Sequence, residues 1–242
     1  MLVDIQTINL PQLLLAFAPV VLVLVLMWYW GLGYGNAAYA LARMLGQLLL
    51  IGYVLVFIFN AESSAIVLAV LAVMLVASSW IALNTIHSSR ASLFLPSLWS
   101  IFLGGVSTLA LVTQGVLQLE PWYRPQYMIP LAGMIFANAM TSVSLAAERL
   151  HAELDKGSNY AAGRIVAFQT AMIPVINSLF AVGLVSLPGM MTGQILAGVS
   201  PFIAARYQIM VMCMIFASAG LSTACFLWLG KRAEAFAQAD RE

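Results

Sequence analysis

The chain has 242 residues, of which 63% are hydrophobic and 8% charged, with a net charge of +1. Soluble domains carry about 45–50% apolar and about 25% charged residues, and part of any soluble chain must face water, so this composition excludes a water-soluble globular protein. Ten basic and nine acidic residues, with no long like-charge run and no basic patch, exclude a nucleic-acid partner as well.

A membrane-spanning helix needs about 20 mostly apolar residues. In chain order the qualifying stretches are Leu10–Trp30, Ala38–Phe59, Ala65–Leu83, Pro96–Val116, Tyr127–Leu145, Ile165–Leu187 and Tyr207–Gly230. The runs are continuously apolar and about twice the length of a barrel strand, so a transmembrane β-barrel is excluded. Helices satisfy their own backbone groups in lipid, and the fold class is therefore an all-α integral membrane protein of about seven transmembrane helices in a single domain over 1–242. Asp4 and the absence of a basic residue ahead of the first run argue against a signal peptide. That run is also longer than a signal h-region, so the first span is read as retained despite Ala38-Tyr39-Ala40 downstream.

Turn-forming residues separate the runs: Gly31-Leu32-Gly33, Asn60-Ala61-Glu62, the segment Asn84–Pro96 with His87, and Glu120-Pro121. Trp28, Tyr29, Trp30, Trp122 and Tyr123 fit an interfacial aromatic belt. An N-terminus outside puts Arg43, Arg90, Arg149, Lys156, Arg164, Lys231, Arg232 and Arg241 at the cytoplasmic side, and only Arg124 and Arg206 outside. The positive-inside rule thus selects an outer N-terminus and a cytoplasmic C-terminus. The expected location is the cell inner membrane, with lipid as the surrounding partner. Leu184–Arg206 reads as an external loop, a re-entrant segment, or both.

The longest polar stretch is Glu148–Arg164, expected as a cytoplasmic loop where a soluble partner docks, its first half in helical spacing and Gly157-Ser158-Asn159 as its turn. Soluble-enzyme motifs are absent: no phosphate loop, no H-E-x-x-H and no G-x-S-x-G. The chain is not read as an enzyme, and it holds no cofactor of its own. The two cysteines, Cys213 and Cys225, lie on different turns of one helix, cannot pair within the chain, and are read as small apolar fillers. Almost no charge lies within the spans, whereas proton-coupled carriers keep a titratable group on their path. This favours a machine driven from outside the membrane.

Uncharged polar residues remain as candidates. Asn138, Thr141, Ser142 and Leu145 share one helical face, as do Thr170, Pro174, Asn177 and Ala181. Such residues serve as interhelical glue or line a path for a solute. The run Pro188-Gly189-Met190-Met191, with Gln194 further on, is apolar yet broken by proline and glycine. Irregular backbone at membrane depth is tolerated only when buried in protein or lining a cavity. The thirteen methionines are ordinary apolar fillers or soft donors that suit Cu(I) better than iron.

Ser186-Leu-Pro-Gly-Met-Met-Thr-Gly-Gln-Ile-Leu-Ala-Gly-Val-Ser-Pro201 and Ala204–Met212 closely resemble the FetB family of ABC-transporter permeases, as do Ile129–Met140 and Ser144–Leu150. These permeases are linked to bacterial iron export and related to plant aluminium-tolerance permeases. The resemblance implies a permease exporting iron or another metal, a homodimer, and a separate cytoplasmic FetA-like subunit that binds ATP and Mg. It also implies that Glu148, Arg149 and Glu153 belong to the ATPase-coupling loop. The chain departs from the family there, because Ala152–Arg164 is short and keeps only Tyr160-Ala161-Ala162-Gly163 of an Ala-Leu-Gly-Ala-like helix end. The residues alone leave open an ion-coupled carrier, a channel, or a membrane scaffold for an ATPase.

Overall fold

The computed structural model describes residues 8–59, 63–86 and 90–231. Asp4, Asn60-Ala61-Glu62, His87, Arg232 and Arg241 lie outside these. Among the described residues seven helical segments are long and apolar enough to cross a membrane. Internal packing divides the chain into two compact units, Met1–Ala61 and Glu62–Glu242.

The first unit holds α1 (Leu10–Leu15), α2 (Ala18–Tyr29) and α3 (Tyr34–Phe59). The expected first span is interrupted between α1 and α2. Pro19 has no N–H to give to the preceding turn, and Ala16 and Phe17 instead donate to the carbonyls of Leu13 and Leu14, three residues back. Gly31, with φ of +69°, ends α2, and Leu32 N–H reaches back to Met27 O at 2.8 Å. That is the bond of a helix stop with glycine in the left-handed position. Large apolar side chains are exposed along all three helices, Leu49 by 73% and Phe57 by 73%. In water such faces would aggregate; in a bilayer they are the solvated surface.

The second unit is built on two long helices, α7 (Pro125–Asp155) and α10 (Pro201–Gly230). Around them pack α4 (Ser64–Ala82), a fourth span from Arg90 to Val116, α8 (Tyr160–Ala181) and the short α9 (Gly189–Leu196). Ala132, Ala139, Ala146 and Ala147 on α7 are fully buried, beside Ile135, Val143 and Leu150. Alanines let helix backbones approach closely, which is how helices associate where the solvent is itself apolar.

The fourth span starts earlier than the sequence suggests. Helix α5 (Arg90–Ile101) carries Pro96 in its interior instead of at its start. Proline removes one ladder bond, and the helix absorbs that loss. Two π-helical segments follow, Phe102–Val106 and Leu111–Val116, separated by α6 (Ser107–Ala110). Gly104 in the first π segment meets α10. A Cβ there would lie 2.4 Å from Ser222 Oγ and 2.6 Å from Ser222 N, so only glycine fits the crossing. The peptide Glu120-Pro121 is cis.

Three further boundaries differ from the sequence reading. Glu148–Arg164 is mostly helix rather than loop: α7 runs on to Asp155 and only 156–159 lie between it and α8. Leu150 and Leu154 continue the buried stripe of α7 at helical spacing, so packing holds the helix beyond its spanning length. The sixth span ends at Ala181, not Leu187. Gly183 has φ of +83°, and the N–H groups of Leu184, Val185 and Ser186 all reach Ala181 O. The seventh starts at Pro201, so Arg206 is a helical residue of α10 and not part of a loop.

Candidate functional site

The broken stretch after α8 builds a cavity. Pro188 leads into α9, Gly198 with φ of +89° follows it, and Pro201 opens α10. With eight residues, α9 is about 12 Å long and cannot cross a bilayer. It packs on α10 and, with α7 and α8, lines a partly open cavity of about 320 Å³, at which Ser186 and Gly189 are exposed. From α7 come Met134 and Asn138, one turn apart; from α8, Ser178. The turn and α9 give Ser186, Pro188, Gly189 and Met190, and α10 gives Gln208 and Met212. Among the described residues no carboxylate, imidazole or thiol lines it. Among the described residues there is also no group of three or more His, Cys, Asp or Glu able to hold a metal.

The polar groups of this cavity are unequally satisfied. Asn138 Nδ2 donates to Met134 O at 2.8 Å, and Ser178 Oγ donates to Val175 O at 2.7 Å. Gln208 is only 6% exposed, yet its Oε1 is buried with no hydrogen-bond partner. A buried acceptor without a donor is destabilising by about 1–3 kcal/mol, so an atom in that condition beside a cavity is a place for a ligand to act.

Of the residues proposed from sequence for a path, Asn138, Pro188, Gly189 and Met190 meet at this cavity. Thr141 is exposed, with Oγ1 bonded to Ala137 O at 2.9 Å. Ser142 is buried away from the cavity. Asn177 is exposed, and its neighbour Ser178 takes the cavity position instead. One residue on a helix is a rotation of about 100°, which is enough to exchange the inward face for the outward one. Met191 and Gln194 are half-buried on α9 outside the cavity lining; Gln194 Oε1 is buried and without a partner. Gln208 and Ser178 were not singled out from sequence. The available signal for Gln208 was an amide in the third turn of an apolar helix.

The second arrangement is the corner between α7 and α8. Arg149 pairs with Glu153 at 2.6 Å, and Ser158 Oγ donates to Glu153 Oε2 at 3.2 Å. Gly157, with φ of +83°, turns the chain as the sequence suggests. Asn159 Oδ1 then accepts from Ala162 N–H at 2.8 Å and caps α8. Gly163 lets α8 lie close on α7: a Cβ there would sit 3.3 Å from Leu150 Cδ1. Tyr160, buried, donates its hydroxyl to the carbonyl of Leu227 on α10. Glu148 is exposed on the same corner. Glu148, Arg149 and Glu153 thus share one end of α7, joined through Tyr160 to the end of α10.

A larger cavity of about 350 Å³, among α4, the fourth span and α7, is lined almost wholly by apolar side chains such as Leu71, Phe102 and Phe136. It holds none of the candidate residues.

No solved structure matches this chain. A UPF0014 membrane protein of Synechocystis is 39% identical over 206 residues, covering 78% of this chain and 79% of its own. The Escherichia coli protein named "Probable iron export permease protein FetB" is 34% identical over 209 residues, 78% of each chain. Protein ALUMINUM SENSITIVE 3 of Arabidopsis thaliana is 35% identical over 205 residues, 78% of this chain and 73% of its own. The family model described as "Uncharacterised protein family (UPF0014)" matches residues 10–234. With that coverage and seven apolar helices, the chain is a multi-pass membrane protein and belongs to the UPF0014 family.

Proposed function

We propose that this chain is the membrane-spanning permease subunit of an ABC transporter that moves a metal, iron being the cargo named for one relative. The observation that carries the reading is the match along most of the chain to the protein named as an iron export permease. The geometry supplies matching parts. An uncharged polar cavity lies among α7, α8, α9 and α10, and a packed polar corner on α7 and α8 carries Glu148, Arg149 and Glu153.

In this reading a FetA-like cytoplasmic ATPase binds and hydrolyses ATP, two copies of the chain form the membrane half, and the N-terminus lies outside the cell inner membrane. Glu148, Arg149 and Glu153 face the ATPase. Closure of the ATPase pair moves the corner, and α7 with α10 carries that motion to the cavity. Solute binding shifts such an equilibrium only through its different affinity for the two states. Asn138, Pro188, Gly189 and Met190 line the path, while Thr141, Ser142, Asn177, Met191 and Gln194 belong to the helices that frame it.

The test is reconstitution with and without a FetA-like ATPase, following ATP-dependent metal flux across vesicles. Flux that needs ATP and both chains supports the reading. Flux that persists without the ATPase and collapses with the proton gradient makes the chain an ion-coupled carrier. Binding to the ATPase with no flux of any metal leaves a membrane scaffold.

A further inference from the structure

The lining of the cavity identifies the kind of ion it suits. Met134, Met190 and Met212 arrive from three different helices, α7, α9 and α10. Methionine is a common filler, but these thioethers line a hollow shared with two amides, Asn138 and Gln208. Gln208 Oε1 is a buried acceptor that nothing in the protein satisfies, so a cation in the hollow gains by drawing this amide oxygen toward it.

Among the described residues no negative group lines the cavity, and this bears on the charge of the occupant. The energy of taking an ion out of water grows with the square of its charge, so a bare divalent ion pays about four times the penalty of a monovalent ion of equal size. A di- or trivalent ion needs carboxylates to offset that, and among the described residues none lines this cavity. Softness points the same way. Thioethers bind polarisable cations of the Cu(I) type, while hard ions prefer carboxylate and water oxygen.

We propose that this cavity binds a soft monovalent cation, Cu(I) or Ag(I), through the thioethers of Met134, Met190 and Met212 with Gln208 Oε1 as the oxygen donor. The proposal rests on the reading of the cavity as a station on the solute path, and puts a soft monovalent metal there in place of the iron named for one relative.

The test uses the full chain in lipid nanodiscs, with Cys213 and Cys225 replaced by serine so that no thiol competes. Ag⁺ binding is measured by calorimetry and compared with Fe²⁺ and Zn²⁺. The expected result is one Ag⁺ per chain, bound more tightly than either divalent ion. The nearly isosteric Met→Leu changes at 134, 190 and 212 each weaken Ag⁺ by about tenfold or more, as losing a supported ligand does, and so does Gln208→Leu. Single substitutions keep the test decisive if the triple variant does not fold. Ag⁺ affinity unchanged in all four variants, or Fe²⁺ bound more tightly than Ag⁺, overturns the proposal. Binding that follows the prediction while ATP-driven flux ignores the same substitutions upholds the site and removes it from the path. Flux that depends on these residues without Ag⁺ binding keeps the path and overturns the cation.

Discussion

The hydroxyl of Tyr160, at the first residue of α8, is bonded to the carbonyl of Leu227, sixty-seven residues further along near the end of α10. The last four carbonyls of a helix have no partner within it, and Leu227 carries one of these. The bond therefore ends α10 and fastens it to the start of α8 in one contact. Lys231 Nζ lies 5.9 Å from the centre of the same ring. Tyr160→Phe removes the donor, keeps the ring, and is expected to lower stability by about 1–2 kcal/mol. Thermal unfolding in detergent checks this. An unchanged midpoint would mean that the hydroxyl contributes nothing to the corner.

Gly104→Ala is expected to be among the most damaging single methyl additions to the chain. The new carbon would lie 2.6 Å from a backbone nitrogen of α10, which no rotamer change relieves, and overpacking of this kind is destabilising by about 3 kcal/mol. Gly46→Ala on α3 is the control, because a Cβ there meets nothing within 4 Å. It is expected to be neutral or slightly stabilising, by up to about 1 kcal/mol. Yield and unfolding temperature of the two variants, prepared side by side, decide the matter.

Arg149 and Glu153 can be tested as a pair and as individuals. Their 2.6 Å ion pair is partly exposed, so its contribution to stability is about 1 kcal/mol or less. Arg149→Glu and Glu153→Arg are each expected to abolish permease-dependent stimulation of the ATPase while the protein stays folded. The double exchange rebuilds the pair with its polarity reversed. Stimulation restored in the double variant would show that only the pair matters, and continued loss would show that Arg149 and Glu153 meet the ATPase with their own charges.

Gln208→Leu is expected to separate stability from transport. Leucine removes a buried acceptor that lacks a donor, and unfolding stability should rise by about 1 kcal/mol. Metal flux should fall in the same variant, as happens when a functional group is exchanged for a comfortable one. A loss of stability with flux intact would make Gln208 a packing residue.

The spans were legible because lipid imposes a simple rule: a run of apolar residues long enough to cross must be helical. Interruptions were harder to place. Pro96 reads as a helix start, yet neighbours hold α5 together through it. Gly183 supplies the left-handed turn that ends α8, and that signal was hidden inside an apolar run. The corner was legible as polar, with helical spacing in its first half, but not as a continuation of the span, since the buried partners of Leu150 and Leu154 come from elsewhere in the chain. At the cavity, Asn138 and the Pro188–Met190 run stood out because polar and helix-breaking residues are rare in spans. Gln208 and Ser178 did not. Their significance lies in which way a helix is turned, and one residue of phase cannot be read from a run of apolar neighbours.

Helix α7 has thirty-one residues, a rod of about 46 Å, against a hydrocarbon layer of about 30 Å. Even tilted by 40° it still spans about 35 Å along the bilayer normal. Its charged residues, from Glu148 to Asp155, all stand in its last turns, and none precedes them on that helix. That end is therefore an aqueous object mounted on a lipid-embedded shaft. Its amide hydrogens should exchange with deuterated water hours before those around Ile135 and Ala139, marking the waterline of the protein residue by residue.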